Sequence, residues 1–393
     1  MHDPVIIASG SRTPMGAFQG DFASLAAHDL GAVAIRSAVE KLGISPEDID
    51  DLIFGNCLMA AQGQAPARQA AIKAGLPVSV GAVTLSKMCG SAMQATIYGY
   101  DSIISGTNNI VVTGGMESMT NAPYLVPKAR NGYRIGHGMM YDHMMVDGLE
   151  DAYEKGSTMG VFAEDCAEKY KFSRDAQDDF AIESVKRAQI ATEKGYFNWE
   201  IAPVKLSERF NEKIIEKDEG PVKARLDKIK HLRPAFKKDG TVTAASSSSI
   251  NDGAAALVLM RESYAKKHNV EPIAKIISHA RHSHEPRWFT TAPIGAIQKL
   301  YEKTGWSTKD VDLFEINEAF ATVTMAAMNE HGISHNIVNI HGGACALGHP
   351  VGASGARIIV TLLGALKRIG GKKGVAALCI GGGEATAMAL EIY

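Results

Sequence analysis

Residues 80–115, VGAVTLSKMCGSAMQATIYGYDSIISGTNNIVVTGG, decide the fold class of this chain. The apolar run VGAVTLS comes first, a stretch with helical spacing, GSAMQATIYGYDSIISG, follows it, and a second apolar run, NIVVTGG, closes the segment. Short apolar runs that alternate with helices of about 10–15 residues are typical of crossover units. PVIIAS, LAAHDLGAVAIRSAVEKLG and DIDDLIFGNCL repeat the alternation earlier in the chain. The pattern predicts an α/β fold with a largely parallel sheet and helices on both faces.

The C-terminal part of the chain follows the same plan. NIVNIHGG leads into GASGARIIVTLLGALKRIG, then into GVAALCIGGG and a final apolar run, ATAMALEIY. This likeness predicts an internal duplication, with two similar halves about a pseudo-dyad and a site where strand ends and helix starts of both halves converge. The alternative, that any two α/β segments share such a pattern, stays open at this point.

A segment of different composition separates the halves. Residues 121–243 are richer in Met and charge and include GHGMMYDHMM, one amphipathic stretch, SRDAQDDFAIESVKRAQIATEKG, and the basic run KARLDKIKHLRPAFKK. We therefore predict an N-terminal half at 1–120, completed by about 244–270, an inserted loop domain at 121–243 and a C-terminal half at 271–393.

Composition and charge exclude several classes of protein. At 393 residues the chain exceeds the roughly 250–300 residues of a single core, so two or more packed units are expected. Its 41 Lys plus Arg and 43 Asp plus Glu give a net charge of −2, which provides no field for nucleic acid. Five widely spaced cysteines and no apolar stretch of about 18–20 residues argue against disulfides, zinc clusters and membrane spans. A reducing cytoplasm fits this composition best.

Cys89 is the first candidate nucleophile. It lies between an apolar run and a predicted helix, where the positive end of the helix dipole and the nearby Lys87 would favour its thiolate. The alternative is a small buried hydrophobic residue.

Cys379 and His349 lie in two glycine-rich segments of the second half. Cys379 ends an apolar run just before three glycines, at the strand end where ligands of open sheets bind. His349 precedes Pro350 and a predicted helix, so it is available as a general base near neutral pH. Its alternative is a loop histidine with satisfied hydrogen bonds.

Two further groups of polar residues have simpler interpretations. Asn317 and Glu318 stand at a strand-to-helix junction, where helix capping alone would explain them. His279, His282 and His284 are close in sequence, but no further ligand is suggested and we do not expect a metal site there.

Four motifs together carry a resemblance. They are CGSAMQA at 89–95, NEAFA at 317–321, GGACALGHPVGASGAR at 342–357 and CIGGG at 379–383, and they are accompanied by RTPMGAF, GQAPARQAA, GGMESMTNAPY, LRPAF and INDGAAALVL. In these strings, over essentially its whole length, the chain resembles the thiolase family, of the acetyl-CoA acetyltransferase or 3-ketoacyl-CoA thiolase kind. The resemblance implies duplicated α/β/α/β/α layers with an inserted loop domain.

The resemblance also implies catalytic roles. Cys89 would be acylated, with His349 taking its proton, and Cys379 would exchange a proton with the α-carbon of a second acetyl-CoA. Asn317 would hold a water that acts with His349 at one oxyanion hole, and the backbone N–H groups of Cys89 and Gly381 would form the other.

Substrates and assembly follow from the same resemblance. Acetyl-CoA, acetoacetyl-CoA and CoA would be the partners, with no cofactor or metal, no nucleic acid and no membrane, in a homotetramer built from dimers. The residues expected to contact CoA or the acyl group are Ser248, Met159, Phe320, Phe289, Arg225 and Lys228. Arg225 and Lys228 belong to a basic stretch that would meet the phosphates; a solvated charged face is the alternative.

Phe289 stands where the family usually has a methionine at the acyl pocket, so we expect a narrow pocket that prefers short 3-ketoacyl-CoAs. Two alternatives stay open beside it: a Phe289 side chain that points into the core, and a degradative thiolase of broader or longer chain range.

Two other classes of protein are disfavoured by the residues present. A decarboxylating ketosynthase would not need Cys379, and a catalytically silent relative would have lost Cys89, His349 or Cys379.

Overall fold

The computed structural model describes residues 3–207 and 212–393. Its strands are β1 Val5–Arg12, β2 Gly16–Ala17, β3 Asp51–Gly55, β4 Gly81–Leu85, β5 Ile110–Ser118, β6 Tyr124–Leu125, β7 Tyr141–Asp142, β8 Val204–Ser207, β9 Glu212–Ile215, β10 Asn251–Arg261, β11 Ala274–Ser283, β12 Leu313–Ile316, β13 Lys373–Ile380 and β14 Glu384–Ile392. Its α-helices are α1 Ala27–Glu40, α2 Pro66–Ala74, α3 Ser91–Ile104, α4 Met159–Tyr170, α5 Arg174–Glu193, α6 Glu219–Lys223, α7 Glu262–Lys267, α8 Ala292–Thr304, α9 Ala321–His331, α10 Ala344–Leu347 and α11 Ser354–Ile369.

The two halves have the same topology. In the N-terminal half the strand order is β4-β3-β5-β10-β1, and in the C-terminal half β12-β13-β14-β11 repeats the order β3-β5-β10-β1. Even the edge strand β4 has a counterpart, because Val338 forms an isolated parallel bridge with Phe314 of β12. The halves meet where β1 pairs with β11 through Ile6 and Ile7. The predicted duplication is therefore present in the strand order and directions.

Three helical layers enclose the two halves of the sheet. Helices α1 and α2 cover the outer face of the first half and share a core with its strands. Helices α8 and α9 do the same for the second half. Between the halves, α3 and α11 pack on each other and bury one continuous apolar core against both. The result is the predicted α/β/α/β/α arrangement.

The prediction of a largely parallel sheet is wrong. Among the main strands, β3–β4, β3–β5 and β12–β13 are parallel, whereas β1–β10, β1–β11, β5–β10, β11–β14 and β13–β14 are antiparallel. The turn at residues 381–383 shows the physical reason, since three glycines connect β13 directly to β14. Two strands joined by a tight turn must run antiparallel, because a parallel pair needs a long crossover.

The segment between the halves packs over one end of the sheet. Phe162 of α4 and Val242 are buried in a small core together with Phe289, Phe320 and Cys379. This segment therefore closes the end of the sheet where β13 stops. The domain boundaries drawn from the sequence stay a prediction. In the described parts of the chain, no helix combines the length and apolar character that crossing a membrane requires.

Candidate active site

A cavity of about 410 Å³ opens where the two halves and the intervening segment meet. Seven of the eleven residues predicted for the site line it: Cys89, His349, Gly381, Ser248, Met159, Phe289 and Phe320. Cys379 and Asn317 are buried just outside the lining, and Arg225 and Lys228 do not belong to it. The motifs of the two halves, which are far apart in sequence, thus meet at one cavity.

Cys89 lies in the turn between β4 and α3, as predicted. The preceding residue, Met88, has a positive φ of 46°, a conformation that side chains other than glycine rarely adopt. Strain of this kind is common where a tight turn presents a reactive group. The turn places Cys89 at the cavity wall, two residues before α3 begins at Ser91.

The predicted stabilisation of the Cys89 thiolate is wrong. Burial raises the pKa of Cys89 to about 11, although the backbone N–H groups of Gly381 and of Cys89 itself bond the sulfur and act in the lowering direction. Lys87 does not assist, because its ammonium pairs with the carboxylate of Glu384. The resting group is therefore a thiol, and a base is needed to remove its proton.

His349 has the protonation state of such a base. Its Nδ1 lies 2.5 Å from Oγ of Ser354, and that hydroxyl donates its hydrogen to the carbonyl oxygen of Pro350 at 3.0 Å. With the hydrogen of Oγ directed to Pro350, Oγ accepts the Nδ1–H of His349, and this tautomer has its lone pair on Nε2. Nε2 is buried and has no hydrogen-bond partner within the described chain. Burial, assisted by Arg357, lowers the pKa of His349 to about 3, so the ring is neutral at pH 7.

Asn317 is held by a buried arginine. Arg357 donates to Oδ1 of Asn317 at 3.4 Å and to Oε2 of Glu315 at 3.2 Å. Oδ1 is therefore engaged as an acceptor, and the buried Nδ2 has no partner in the part of the chain that the structure describes. An amide fixed this way offers an N–H to a water or an oxyanion.

Helix capping does not explain Asn317 and Glu318. Helix α9 begins at Ala321, with Phe320 at its N-cap. Glu318 instead accepts hydrogen bonds from Ser184, Asn339 and the backbone of Cys345. Both side chains are occupied by tertiary contacts, so the simpler interpretation is wrong.

Cys379 lies behind the cavity at the end of β13. Its side chain is fully buried in the core that also contains Phe162, Phe289 and Phe320. Burial, with the nearby Cys89 second, raises the pKa of Cys379 well above its usual range. The sulfur of Cys89, from the other half, is thus close enough to act on the ionisation of Cys379.

Aromatic side chains form one wall of the cavity. Phe289 is 2% exposed, and its ring centroid lies 6.3 Å from that of Phe320 and 6.5 Å from that of Phe162. Phe236 packs edge-on against Phe320, with centroids 5.8 Å apart. Phe289 therefore lines the cavity and also packs into the core. The sequence had left these two positions open as alternatives.

The residues expected near CoA fall into two groups. Ser248 lines the cavity and is anchored by its backbone N–H, which donates to the carbonyl of Ala319 at 2.9 Å. Arg225 is exposed and bonds Asp227, and Lys228 lies on the surface of the 3₁₀ turn Leu226–His231. A role for these two cations stays a prediction.

The three histidines lie on β11 and in the loop after it, where the rings of His282 and His284 pack edge to face with centroids 5.1 Å apart. His279 contacts Asp101 and Tyr100, and His284 bonds the carbonyl of Trp288. Within residues 3–207 and 212–393, no group of three or more His, Cys, Asp or Glu side chains is arranged to hold a metal ion.

Sequence reasoning missed Ser354, Arg357 and Phe236 as site residues. All three stand inside motifs quoted above, GASGAR and LRPAF. A serine five residues after a candidate basic histidine was an available signal. The contact between Arg357 and Asn317 joins residues 40 positions apart, and no sequence signal indicated it.

Comparison with known proteins agrees with this geometry. The description "Thiolase, N-terminal domain" matches residues 5–263, and "Thiolase, C-terminal domain" matches residues 270–392. A cytosolic acetyl-CoA acetyltransferase of Gibberella zeae is 46% identical over 390 residues, which cover 99% of this chain and 98% of that protein. An acetyl-CoA acetyltransferase of Cupriavidus necator is 45% identical over 389 residues, 98% of this chain and 99% of that protein. The crystal structure of the Bacillus anthracis acetyl-CoA acetyltransferase matches with a TM-score of 0.96 and 38% identity, covering 100% of this chain and 99% of that one.

Proposed function

This chain belongs to the thiolase family, and from that membership we propose that it is an acetyl-CoA C-acetyltransferase, which condenses two acetyl-CoA into acetoacetyl-CoA and CoA or runs the reverse thiolysis. The observation that carries the proposal is the meeting of Cys89, His349 and Gly381 at one cavity, with Cys379 directly behind it. The relatives of high identity bear acetyltransferase names, which favours this activity over a longer-chain degradative thiolase.

Acylation begins with the proton of Cys89. His349 accepts it at Nε2, the sulfur attacks the thioester carbonyl of acetyl-CoA, and the bond from that carbon to the CoA sulfur breaks. The proton then moves from His349 to the departing CoA thiolate. Negative charge on the carbonyl oxygen would be met by N–H donors. The amides of Cys89 and Gly381 would form one oxyanion hole, and Asn317, through a water, would form the other together with His349.

Carbon-carbon bond formation uses Cys379. Its thiolate removes a proton from the α-carbon of a second acetyl-CoA, and that carbon attacks the acetyl carbonyl on Cys89. The bond from this carbonyl to the Cys89 sulfur breaks, and the departing sulfur takes up the proton that Cys379 has removed. While Cys89 carries the acetyl group it cannot become a thiolate, so no charge on its sulfur opposes ionisation of Cys379 at this step. In the thiolysis direction the same thiol protonates the departing carbanion.

The aromatic wall favours small acyl groups. A long 3-ketoacyl chain would have to displace Phe289, whose ring is held between Phe162 and Phe320. Ser248 lies along the cavity that the pantetheine arm would follow, and Arg225 and Lys228 would attract the CoA phosphates. No metal or other cofactor is required in this scheme.

Assembly and location complete the proposal. Among the described strands β4 is the last of the sheet and has no neighbour on one side, and its Val83 is 50% exposed, so this edge can pair with a second copy. Apolar side chains of residues 121–143 are also exposed, namely Tyr124, Val126, Tyr133, Ile135, Met139, Met140 and Tyr141, and would pack between dimers of a homotetramer. The cytosolic name of the Gibberella relative supports a cytoplasmic location.

Steady-state kinetics tests the proposed function. Initial rates of acetoacetyl-CoA thiolysis at several fixed CoA concentrations should give parallel double-reciprocal lines, because acetyl-CoA leaves before CoA enters the same cavity. Absence of thiolysis, or intersecting lines that indicate a ternary complex, would contradict the proposed covalent transferase.

A further inference from the structure

Glu117 lies near the end of β5, beside the residue that follows β3. Gly55 at the end of β3 pairs with Gly115 of β5, so Asn56 and Glu117 come just beyond this pair on neighbouring strands. Both side chains are buried. A carboxylate in such a place needs hydrogen-bond donors from the protein.

Four N–H groups converge on the carboxylate of Glu117. Oε1 accepts from Nδ2 of Asn56 at 2.7 Å and from the backbone N–H of Leu58 at 3.1 Å. Oε2 accepts from the backbone N–H groups of Cys57 at 3.0 Å and Gly352 at 2.9 Å. The side chain is fully buried, so each oxygen replaces water with two N–H donors.

These bonds join two loops that flank the reaction centre. Gly352 is three residues beyond His349, and Cys57 bonds the carbonyl oxygen of Met88, the residue before Cys89. The backbone of Gly352 is tightly packed, because a Cβ on this residue would lie 2.7 Å from the carbonyl oxygen of Met116. Glu117 does not line the cavity as the described residues outline it, so it would act through the loops.

We propose that Glu117 is a positioning residue for the reaction, whose carboxylate ties the loop after His349 to the loop beside Cys89 and so sets the distance over which the proton moves. This inference rests on the proposed function, since it assigns the proton transfer from Cys89 to His349 to that reaction.

The charge of Glu117 should also change the reactivity of Cys89, an effect that a merely structural role would not have. The ionisable groups around Cys89 are Glu117, Cys57, Cys379 and His349, and the negative charge of Glu117 acts on Cys89 in the direction that raises its pKa. Burial raises the pKa of Glu117 itself to about 7, against the effect of its N–H donors. Removal of the charge should therefore make the Cys89 thiolate easier to form, while misplacement of the loops makes turnover slower.

The test compares Glu117→Gln with Glu219→Gln. Glu219 is also buried and its Oε1 accepts two backbone N–H groups, from Ala17 and Asp21, but it lies away from the Cys89 cavity. The measurements are kcat and KM for acetoacetyl-CoA thiolysis, and the rate of Cys89 labelling by iodoacetamide at about pH 8, followed by mass spectrometry. The labelling does not depend on the identity of the substrate.

We expect Glu117→Gln to lower kcat about 10–100-fold with KM changed less than about threefold, and to speed Cys89 labelling. Glu219→Gln should leave both rates near those of the wild type. Glu117→Asp, which keeps the charge but shortens its reach, should lower kcat without faster labelling. A folded Glu117→Gln variant with unchanged kcat would overturn the proposal. The proposal would also fail if turnover and labelling of this variant both decreased only in proportion to the fraction of folded protein. If wild type shows no thiolysis but Glu117→Gln still labels faster, the proposed function fails and the link from Glu117 to Cys89 stands.

Discussion

Oγ of Ser354 lies 2.5 Å from Nδ1 of His349 and donates a hydrogen bond to the carbonyl oxygen of Pro350. One hydroxyl thereby determines which nitrogen of the ring is protonated, and the free lone pair of Nε2 is left at the cavity that also contains Cys89. In the proposed reaction, this serine at the start of α11 would select the tautomer of the base.

Replacement of Ser354 by alanine should slow acylation. The imidazole would lose the partner that selects its tautomer, and we expect kcat/KM to fall about tenfold, the equivalent of about 1.4 kcal/mol for one hydrogen bond. Ser102→Ala is a suitable control, since Ser102 also bonds a helix carbonyl, that of Gly99, at the far end of α3. Equal rates for Ser354→Ala and the control would show that the ring is oriented by other contacts.

Cys89 of the free enzyme should titrate at high pH. Because burial raises its pKa to about 11, the thiolate fraction below that value rises with pH, and iodoacetamide labelling should accelerate about tenfold per unit between about pH 8 and pH 10. His349, with a pKa of about 3, stays neutral throughout this range. A labelling rate that levels off between about pH 9 and pH 10 would mean that the pKa of Cys89 is not raised.

Variants at Cys379 and His349 should fail at different steps. Cys379→Ala retains the acylation machinery, so it should still form acetyl-enzyme from acetyl-CoA but condense about 10²–10⁴-fold more slowly. His349→Ala lacks the base and should already be slow in forming the acetyl-enzyme. Quenched-flow measurement of labelled protein separates the two steps. Normal condensation by Cys379→Ala would remove this cysteine from the scheme.

Phe289 should limit the acyl chain. Phe289→Met replaces a rigid ring by a flexible side chain, and we expect kcat/KM for C8 to C12 3-ketoacyl-CoAs to gain about tenfold relative to acetoacetyl-CoA. Phe314→Met, in the separate core beneath α8 and α9, is the control for a general loss of packing. Efficient use of long substrates by the wild type, unchanged in Phe289→Met, would refute a narrow pocket.

Local sequence patterns predicted the secondary structure around the site better than the ionisation states of its residues. The turn that presents Cys89 follows from an apolar run, a tight connection and a helix within one segment, and the structure has all three. The antiparallel pairing of β13 and β14 could have been inferred from the three glycines between them. The raised pKa of Cys89 could not have been inferred, because it results from burial by residues of both halves, which outweighs the effect of the nearby helix. Lys87, moreover, pairs with Glu384, almost 300 positions away in sequence.

The most direct test of the whole account is the chemical state of Cys89 during turnover. The enzyme would be incubated with acetyl-CoA, quenched in acid and digested, and the peptides carrying the five cysteines would be compared by mass spectrometry. We predict an added acetyl group on Cys89, which is lost when CoA is supplied. Acetyl on Cys379 or Cys345 with Cys89 unmodified would contradict the account.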